Sequence, residues 1–335
     1  MSARRDILVT GGAGFIGSNF IRHILRHPSR VKSFRRFNVV NLDKLTYSGN
    51  PDNLRDMERD PRYRFVRGDI CDAALVRRLM KNCAVAVNFA AESHVDRSIK
   101  NPLEFIRTNV TGTQVLLDAA KKAGVKKFVQ ISTDEVYGSV SKGYCDEAAP
   151  LNPSSPYAAS KTAADLLARS YYTTYKMPVV ITRSSNNFGP YQYPEKIMPL
   201  FITNALTDKR LPLYADGSNV RDWIYVEDNC DAVLYVMEKG AAGQIYNIGG
   251  ANEVRNIVLT KKILRILGKP EKLIKYVADR PGHDKRYALD SYKLYKLGWR
   301  PAPESFDKKL ERTVEWYKRN RKWWQRLKKK QEKFW

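Results

Sequence analysis

Two groups of residues in this sequence have types and spacings suited to proton transfer. One is Thr133-Asp134-Glu135, two adjacent acids behind a hydroxyl, and the other is Tyr157 with Lys161 four positions further on. A phenol beside an ammonium ion is drawn toward phenolate and becomes a base for a hydroxyl proton. Two adjacent acids at one strand end are a second place to look for chemistry, since neighbouring carboxyl groups can divide acid and base work when their pKa values are pushed apart. Tyr-x-x-x-Lys alone is a common surface pattern, and adjacent acids often mark a solvated turn, so what positions these residues decides their meaning.

The run Phe128-Val129-Gln130-Ile131-Ser132 is short, apolar and β-branched. It reads as a buried parallel strand that delivers Thr133, Asp134 and Glu135 to its carboxyl end, where open α/β sheets place ligands. Two unpaired carboxylates make poor core material, because burying them costs several kcal/mol. Downstream, Ser154-Ser155-Pro156 precedes a stretch of strong helix formers from Tyr157 to Leu167. A proline start puts Tyr157 and Lys161 at i and i+4, on one helical face.

Asp6 to Thr10 predicts a first strand, followed at once by glycines at 11, 14 and 17 and a helix made amphipathic by Phe15, Ile16, Phe20, Ile21, Ile24 and Leu25. Strand, glycine turn and helix form the context of a dinucleotide site: Gly11, Gly14 and Gly17 admit the pyrophosphate to the backbone, and the helix N-terminus offers free N–H groups. A second strand from Asn38 to Leu42 ends at Asp43, which accepts from ribose hydroxyls and repels a 2′-phosphate, favouring NAD over NADP. Asp43 comes later than the usual roughly 20 residues after the glycines, because a basic insertion from Arg30 to Arg36 intervenes.

Further strands run from Tyr63 into Gly68-Asp69-Ile70 and from Val85 into Ala90-Ala91-Glu92-Ser93-His94. The alternation predicts an α/β fold, a Rossmann-type doubly wound parallel sheet with a smaller C-terminal α/β substrate-binding domain. After Val179 to Thr182 the texture turns to Pro- and Tyr-rich loops. The domain change is therefore expected near Asn187, with residues 1–187 binding the dinucleotide and 188–335 mainly the substrate, the chain returning to the first domain around 224–256. Long apolar faces near 103–123 and 157–175 predict a homodimer through a helix bundle.

The chain has 59 Lys and Arg against 35 Asp and Glu, a formal charge of +24, which favours polyanions and phosphorylated substrates. Part of the excess lies in the insertion and part in the terminal run from Lys318 to Lys330, where Trp323 and Trp324 interrupt the cations. A solvated terminal helix with packed tryptophans accounts for that run better than a nucleic-acid arm. Cys71, Cys83, Cys145 and Cys230 are scattered without a Cys-x-x-Cys pair, which predicts neither disulfide nor zinc and fits a reducing cytoplasm. His23 and His27 lie four apart on the first helix, but two ligands do not make a metal site. No apolar run reaches the roughly 20 residues that span a bilayer, and residues 1–6 lead directly into a strand, so neither a membrane span nor a signal peptide is expected.

Taken together, these segments resemble the extended short-chain dehydrogenase/reductase superfamily and, within it, the dTDP-glucose 4,6-dehydratases. The likeness covers nearly the whole chain. Besides the glycine turn and Tyr157/Lys161 it includes Asp43-Lys44-Leu45-Thr46-Tyr47, the run from Ala90 to Ile99, Ser185 to Tyr191, Pro194-Glu195-Lys196, Arg221 to Asp228 and Asp279 to Asp284. Related epimerases usually carry small neutral residues in place of Asp134-Glu135; oxidation and re-reduction need only the tyrosine, whereas losing water needs an acid and a base.

The resemblance implies that Tyr157, supported by Lys161 and Thr133, takes the proton of the sugar 4-hydroxyl while hydride passes to NAD. Glu135 would then remove the C5 proton, Asp134, kept protonated, would donate to the departing C6 hydroxyl, and hydride would return to C6. The product would be a 4-keto-6-deoxy sugar nucleotide feeding deoxysugar synthesis of the rhamnose type, with NAD tightly held. By the same resemblance, NAD contacts fall at Phe15, Ile16, Asp43, Lys44, Leu45, Thr46, Asp69, Ile70, Ala90, Ala91, Ser93, Thr108, Tyr157, Lys161 and Asn187. Substrate contacts fall at Ser93, Asn186, Lys196, Arg221, Asn256, Arg280 and His283, with His94 a further candidate. The cations suit a nucleotide diphosphate. A UDP-glucose 4,6-dehydratase and a UDP-sugar 4-epimerase are the nearest alternatives, and a non-catalytic dinucleotide-binding protein that holds nucleic acid is the alternative from another class.

Overall fold

The computed structural model describes residues 6–33 and 36–332. Residues 1–5, on which the reading of the N-terminus rests, lie outside these, as do residues 34 and 35 of the basic insertion and the last three of the chain.

The strands are β1 (Asp6–Thr10), β2 (Asn38–Asp43), β3 (Tyr63–Arg67), β4 (Cys83–Asn88), β5 (Lys127–Thr133), β6 (Val179–Ser184), β7 (Asn186–Phe188), β8 (Leu211–Tyr214), β9 (Val220–Tyr225), β10 (Ile245–Ile248), β11 (Glu253–Arg255) and β12 (Ile274–Val277). Seven of them form one sheet in the order β10-β6-β5-β4-β1-β2-β3, parallel at every pairing. The chain builds outward from β1 to β2 and β3, then starts again on the other side with β4. This reversal opens a crevice at the carboxyl ends of β1 and β4.

Both sheet faces are covered, and the period of two shows which side chains face which layer. Ile7, Val9, Val39, Val85, Val87, Val129 and Ile131 point into one core with Phe20, Ile21 and Ile24 of the Phe15–Arg26 helix and Val233 and Val236 of the Val226–Lys239 helix. Leu8, Val40, Ala86 and Phe128 point into the opposite core, against Leu116, Leu117 and Ala120 of the Thr113–Ala123 helix and Ala168 and Tyr171 of the Pro156–Tyr175 helix.

A third core lies under two smaller sheets, β11-β9-β7 and β12-β8. It gathers Phe188 of β7 and Trp223 of β9 with Phe201, Leu259, Ile263, Leu310, Val314, Tyr317 and Trp324 from helices Ile197–Ala205, Asn256–Leu267, Phe306–Arg319 and Arg321–Glu332. The expected helix near 103–123 is Pro102–Phe105 followed by a π-helical turn, Ile106–Gly112, before regular helix resumes at Thr113. None of the four cysteines is in a disulfide, and among the described residues no helix is long and apolar enough to cross a membrane.

Candidate active site

A cavity of about 490 Å³ opens where the strand ends of the large sheet face the small sheets. Its cofactor side is built from backbone. Gly11 has φ +69°, and a Cβ there would stand 2.6 Å from the Ala90 nitrogen; a Cβ on Gly17 would stand 2.4 Å from the Gly11 carbonyl oxygen. Only glycine allows this turn to close so tightly on β4 and on itself. Gly14 N–H donates to the Gly11 carbonyl at 3.1 Å and leads into the Phe15–Arg26 helix.

At the end of β2, Asp43 is buried and its carboxylate oxygens accept from Ala13 N–H (2.9 Å) and Leu45 N–H (2.8 Å). Burial pushes its pKa up and these two backbone bonds pull it back. Each oxygen keeps lone-pair capacity for a hydroxyl. Lys44 pairs with Asp69 at 2.9 Å. Burial acts upward on Asp69, but Cys71 N–H and the Lys44 ammonium outweigh it, and its pKa is lowered.

The proton-transfer groups converge on the same cavity. Ser155 caps the Pro156–Tyr175 helix by accepting from Ala158 N–H at 3.1 Å, and Pro156 occupies its first turn. Tyr157 and Lys161 are both buried on the face of this helix turned toward β5. Thr133, last residue of β5, donates to Asp134 Oδ1 at 3.1 Å, while Asp134 Oδ2 is buried without a partner. Burial, then the neighbouring Glu135, pushes Asp134 well above the usual carboxylate range. Glu135 is raised as well, by burial, but Lys196, Arg280 and Arg221 all act to lower it. Both carboxyls are raised, Asp134 the further, so of the pair Asp134 is held more strongly in its protonated form while three cations oppose the shift at Glu135.

In one respect the site differs from the sequence expectation. The Tyr157 phenol is not lowered: burial, followed by Glu135, pushes it up, and a hydrogen bond with Thr133 works in the opposite direction. Lys161 Nζ donates to the Ile131 carbonyl at 2.6 Å, and burial brings its pKa down to about 8 against the pull of Asp165. The lysine is anchored to β5 and balanced by a carboxylate one turn along its own helix, rather than being committed to the phenol.

The far wall carries the cations. Lys196 Nζ reaches back to the Ser93 carbonyl at 2.6 Å. Arg221 donates to the Asp284 carbonyl at 2.9 Å and lies over the Tyr287 ring, 4.4 Å from its centroid. Arg280 faces Asp96 at 3.8 Å, and His283 Nδ1 meets Asp279 at 2.6 Å. Burial lowers His94 to about 2, so its ring is neutral.

Every site residue expected from the sequence lines this cavity except Leu45, which adopts φ +59° and only lends its N–H to Asp43. Sequence reasoning gave no role to Glu195, whose side chain is 4% exposed and accepts from Tyr47 Oη at 2.8 Å, with Arg97 at 3.4 Å. Tyr47 also lies under the Arg97 guanidinium, 3.9 Å from its centroid. Asp165 was missed too, although its position four residues after Lys161 on one helix was a readable signal. His23 faces Asp231 at 3.2 Å, and among the described residues no group of His, Cys, Asp and Glu could hold a metal.

The residues suit a dinucleotide. Glycines leave the backbone bare at the turn, Asp43 stands at the end of β2 with capacity to accept from hydroxyls, and Asn187 Oδ1 is buried without a hydrogen-bond partner on the cavity wall. An oxidoreductase-type crevice with an added acid–base pair is thus the class that fold and site define. The sequence matches the family described as GDP-mannose 4,6 dehydratase over residues 8–313, and the chain belongs to that family. It is 53% identical to the low-salt glycan biosynthesis protein Agl12 of Haloferax volcanii, over 93% of this chain and 98% of that one. It is 52% identical to a dTDP-glucose 4,6-dehydratase of Streptomyces antibioticus, over 97% and 96%. The crystal structure of DesIV, a dTDP-glucose 4,6-dehydratase from Streptomyces venezuelae with NAD bound, superposes with a TM-score of 0.94 at 51% identity, covering 96% of this chain and 99% of that one.

Proposed function

We infer that this protein is an NAD-dependent dTDP-glucose 4,6-dehydratase, a hydro-lyase that makes the 4-keto-6-deoxy sugar nucleotide used in deoxysugar synthesis of the rhamnose type. The observation that carries the reading is the unequal pair Asp134/Glu135 beside Tyr157, in a chain about half identical to named dehydratases over nearly its full length.

The glycine turn, Asp43, Asp69, Ile70, Ala90, Thr108 and Asn187 would hold NAD, which when bound supplies a hydride acceptor at C4 and then a donor at C6. Tyr157 Oη receives the proton of the sugar 4-hydroxyl and Thr133 steadies it by hydrogen bonding. Removing that proton and a hydride makes a ketone that acidifies the C5 hydrogen. Glu135, whose charged form is favoured by Lys196, Arg280 and Arg221, takes the C5 proton. Asp134 gives its proton to the C6 hydroxyl, which leaves as water. Lys196, Arg221 and Arg280 hold the diphosphate through charge-assisted bonds.

The protein is proposed to work as a homodimer in the cytoplasm. Leu103 (72% exposed) on the Pro102–Phe105 helix and Leu166 (50%) and Tyr175 (51%) on the Pro156–Tyr175 helix expose apolar surface, and four cysteines outside any disulfide suit a reducing compartment. Incubation with dTDP-glucose, UDP-glucose and GDP-mannose separately, followed by mass spectrometry, tests the substrate. Loss of one water from dTDP-glucose is the expected result. Loss chiefly from UDP-glucose keeps the mechanism and changes the nucleotide, loss chiefly from GDP-mannose changes both nucleotide and sugar, and an unchanged mass with all three removes the reading.

A further inference from the structure

The basic C-terminal helix reaches the cofactor turn. Trp323 lies on the Arg321–Glu332 helix, and its indole N–H donates to Asn53 Oδ1 at 3.0 Å. Asn53 is buried, and its amide donates to the Ala13 carbonyl at 2.9 Å. Ala13 sits inside the glycine turn, where its N–H is held by Asp43 and its carbonyl also accepts from Asn50 N–H at 3.0 Å. A second route runs to the opposite lip. Tyr317 Oη donates to the Gln192 carbonyl at 2.5 Å, and the Gln192 amide donates to the Asn187 carbonyl at 3.0 Å. Trp324 ties the routes together by donating to the Tyr317 carbonyl at 2.8 Å. Between them, Trp316 and Trp323 pack on Tyr191 with centroids 4.7 and 5.9 Å away, and Arg22 lies over the Tyr191 ring. Arg326 adds a longer pairing with Asp52 at 3.7 Å.

We propose that the Arg321–Glu332 helix is a retention strap for the dinucleotide, with Trp323 as a positioning residue that holds the glycine turn through Asn53. The proposal rests on the reading that NAD is the cofactor and gives the terminal segment a task that its charge alone does not suggest. A redox-neutral cycle returns its hydride in the same turnover, so loss of cofactor between the two transfers would strand the intermediate. A strap anchored on one lip through Trp323 and on the other through Trp324 and Tyr317 of the preceding Phe306–Arg319 helix, outside the cavity, slows that loss without touching the sugar.

The test uses full-length protein. NAD carried through purification, its release rate into cofactor-free buffer and the Kd for added NAD are measured alongside the Kd for thymidine diphosphate. Trp323→Phe keeps the ring stack and removes the donor; NAD release is expected to quicken about fivefold, the scale of one hydrogen bond, with thymidine diphosphate affinity within about twofold. Trp323→Ala is expected to release NAD faster still, with the rate of turnover recovered by excess NAD. Asn53→Asp, which turns the donor facing Ala13 into an acceptor, reproduces the effect if Trp323→Ala does not fold. Wild-type NAD release in Trp323→Phe and Asn53→Asp overturns the strap, as does a parallel loss of thymidine diphosphate binding, which would signal general loosening. Because cofactor release is read without turnover, a chain that dehydrates none of the three sugar nucleotides but sheds NAD in these variants would lose its function assignment and keep its strap.

Discussion

The two sides of the crevice are made of different materials. On the cofactor side the contacts are bare backbone and glycine, and its buried carboxylate, Asp43, is already tied at both oxygens. On the sugar side they are long side chains, and Asp134 Oδ2, Asn186 Oδ1, Asn256 Oδ1 and Arg280 Nε are buried there without hydrogen-bond partners. A buried polar atom left unpaired costs about 1–3 kcal/mol. The glycine turn of the cofactor side is thus tied within the protein, with Asn187 Oδ1 left open toward the dinucleotide, whereas the sugar side is completed largely by a polar guest that comes and goes. Substitutions on the two sides should accordingly fail in different ways, one through occupancy and the other through chemistry.

The largest effect is expected at the junction. Tyr157→Phe removes the base, and turnover of dTDP-glucose should fall on the order of a thousandfold with NAD content unchanged; a loss below tenfold would take Tyr157 out of that role. Next come the acids. In Glu135→Gln the exchange of the C5 hydrogen with deuterated solvent should drop about a hundredfold, while Asp134→Asn should keep exchange and lose release of water. Equal failure of both variants in exchange would erase the division between them.

A smaller, pH-dependent effect belongs to Lys161. Its ammonium is lost above about pH 8, so turnover should decline on the alkaline side by up to about tenfold per pH unit, and Lys161→Arg should move that limb upward. Stability carries the same sign information. A folded pKa of about 8 against 10.5 unfolded means that the unfolded chain binds more protons between these values. The destabilisation from burying this charge is therefore fully present below pH 8 and relieved as pH rises toward 10.5. Denaturant titrations of wild type and Lys161→Met across that window should converge; parallel curves would contradict the shift. The smallest effect is on the cofactor side, where Asp43→Asn should weaken NAD about fivefold and narrow its advantage over NADP. A similar loss of sugar-nucleotide affinity would blur the contrast between the two sides.

Much of this architecture was legible in the residues, for reasons that differ by place. Strand ends follow from periodicity, and the glycine turn from the spacing of Gly11, Gly14 and Gly17 between a strand and a helix, both local properties of the chain. Tyr157 and Lys161 share a face because 3.6 residues make a turn. What stayed hidden depends on which groups meet across the fold. Nothing near Lys161 in sequence says that its Nζ bonds the Ile131 carbonyl, nor that burial and Glu135 would push the phenol up. Leu45 was carried into the site with its neighbours, but a single left-handed residue turns it away. The π-helical turn at 106–112, which carries Thr108 to the cavity, leaves no signature in residue type.

The path of the backbone has a further consequence. After β6 the chain passes from the large sheet to β7 and β9, returns with the Val226–Lys239 helix and β10, leaves again for β11, and comes back with Leu294 and Trp299 before its last helices. No single cut separates the lobe of the two smaller sheets from the rest. A lineage carrying this topology cannot acquire a new substrate by exchanging one lobe as a cassette in a recombination event, because each junction would sever several crossings at once. New specificity has to accumulate residue by residue on the cavity wall, with the shared frame inherited intact.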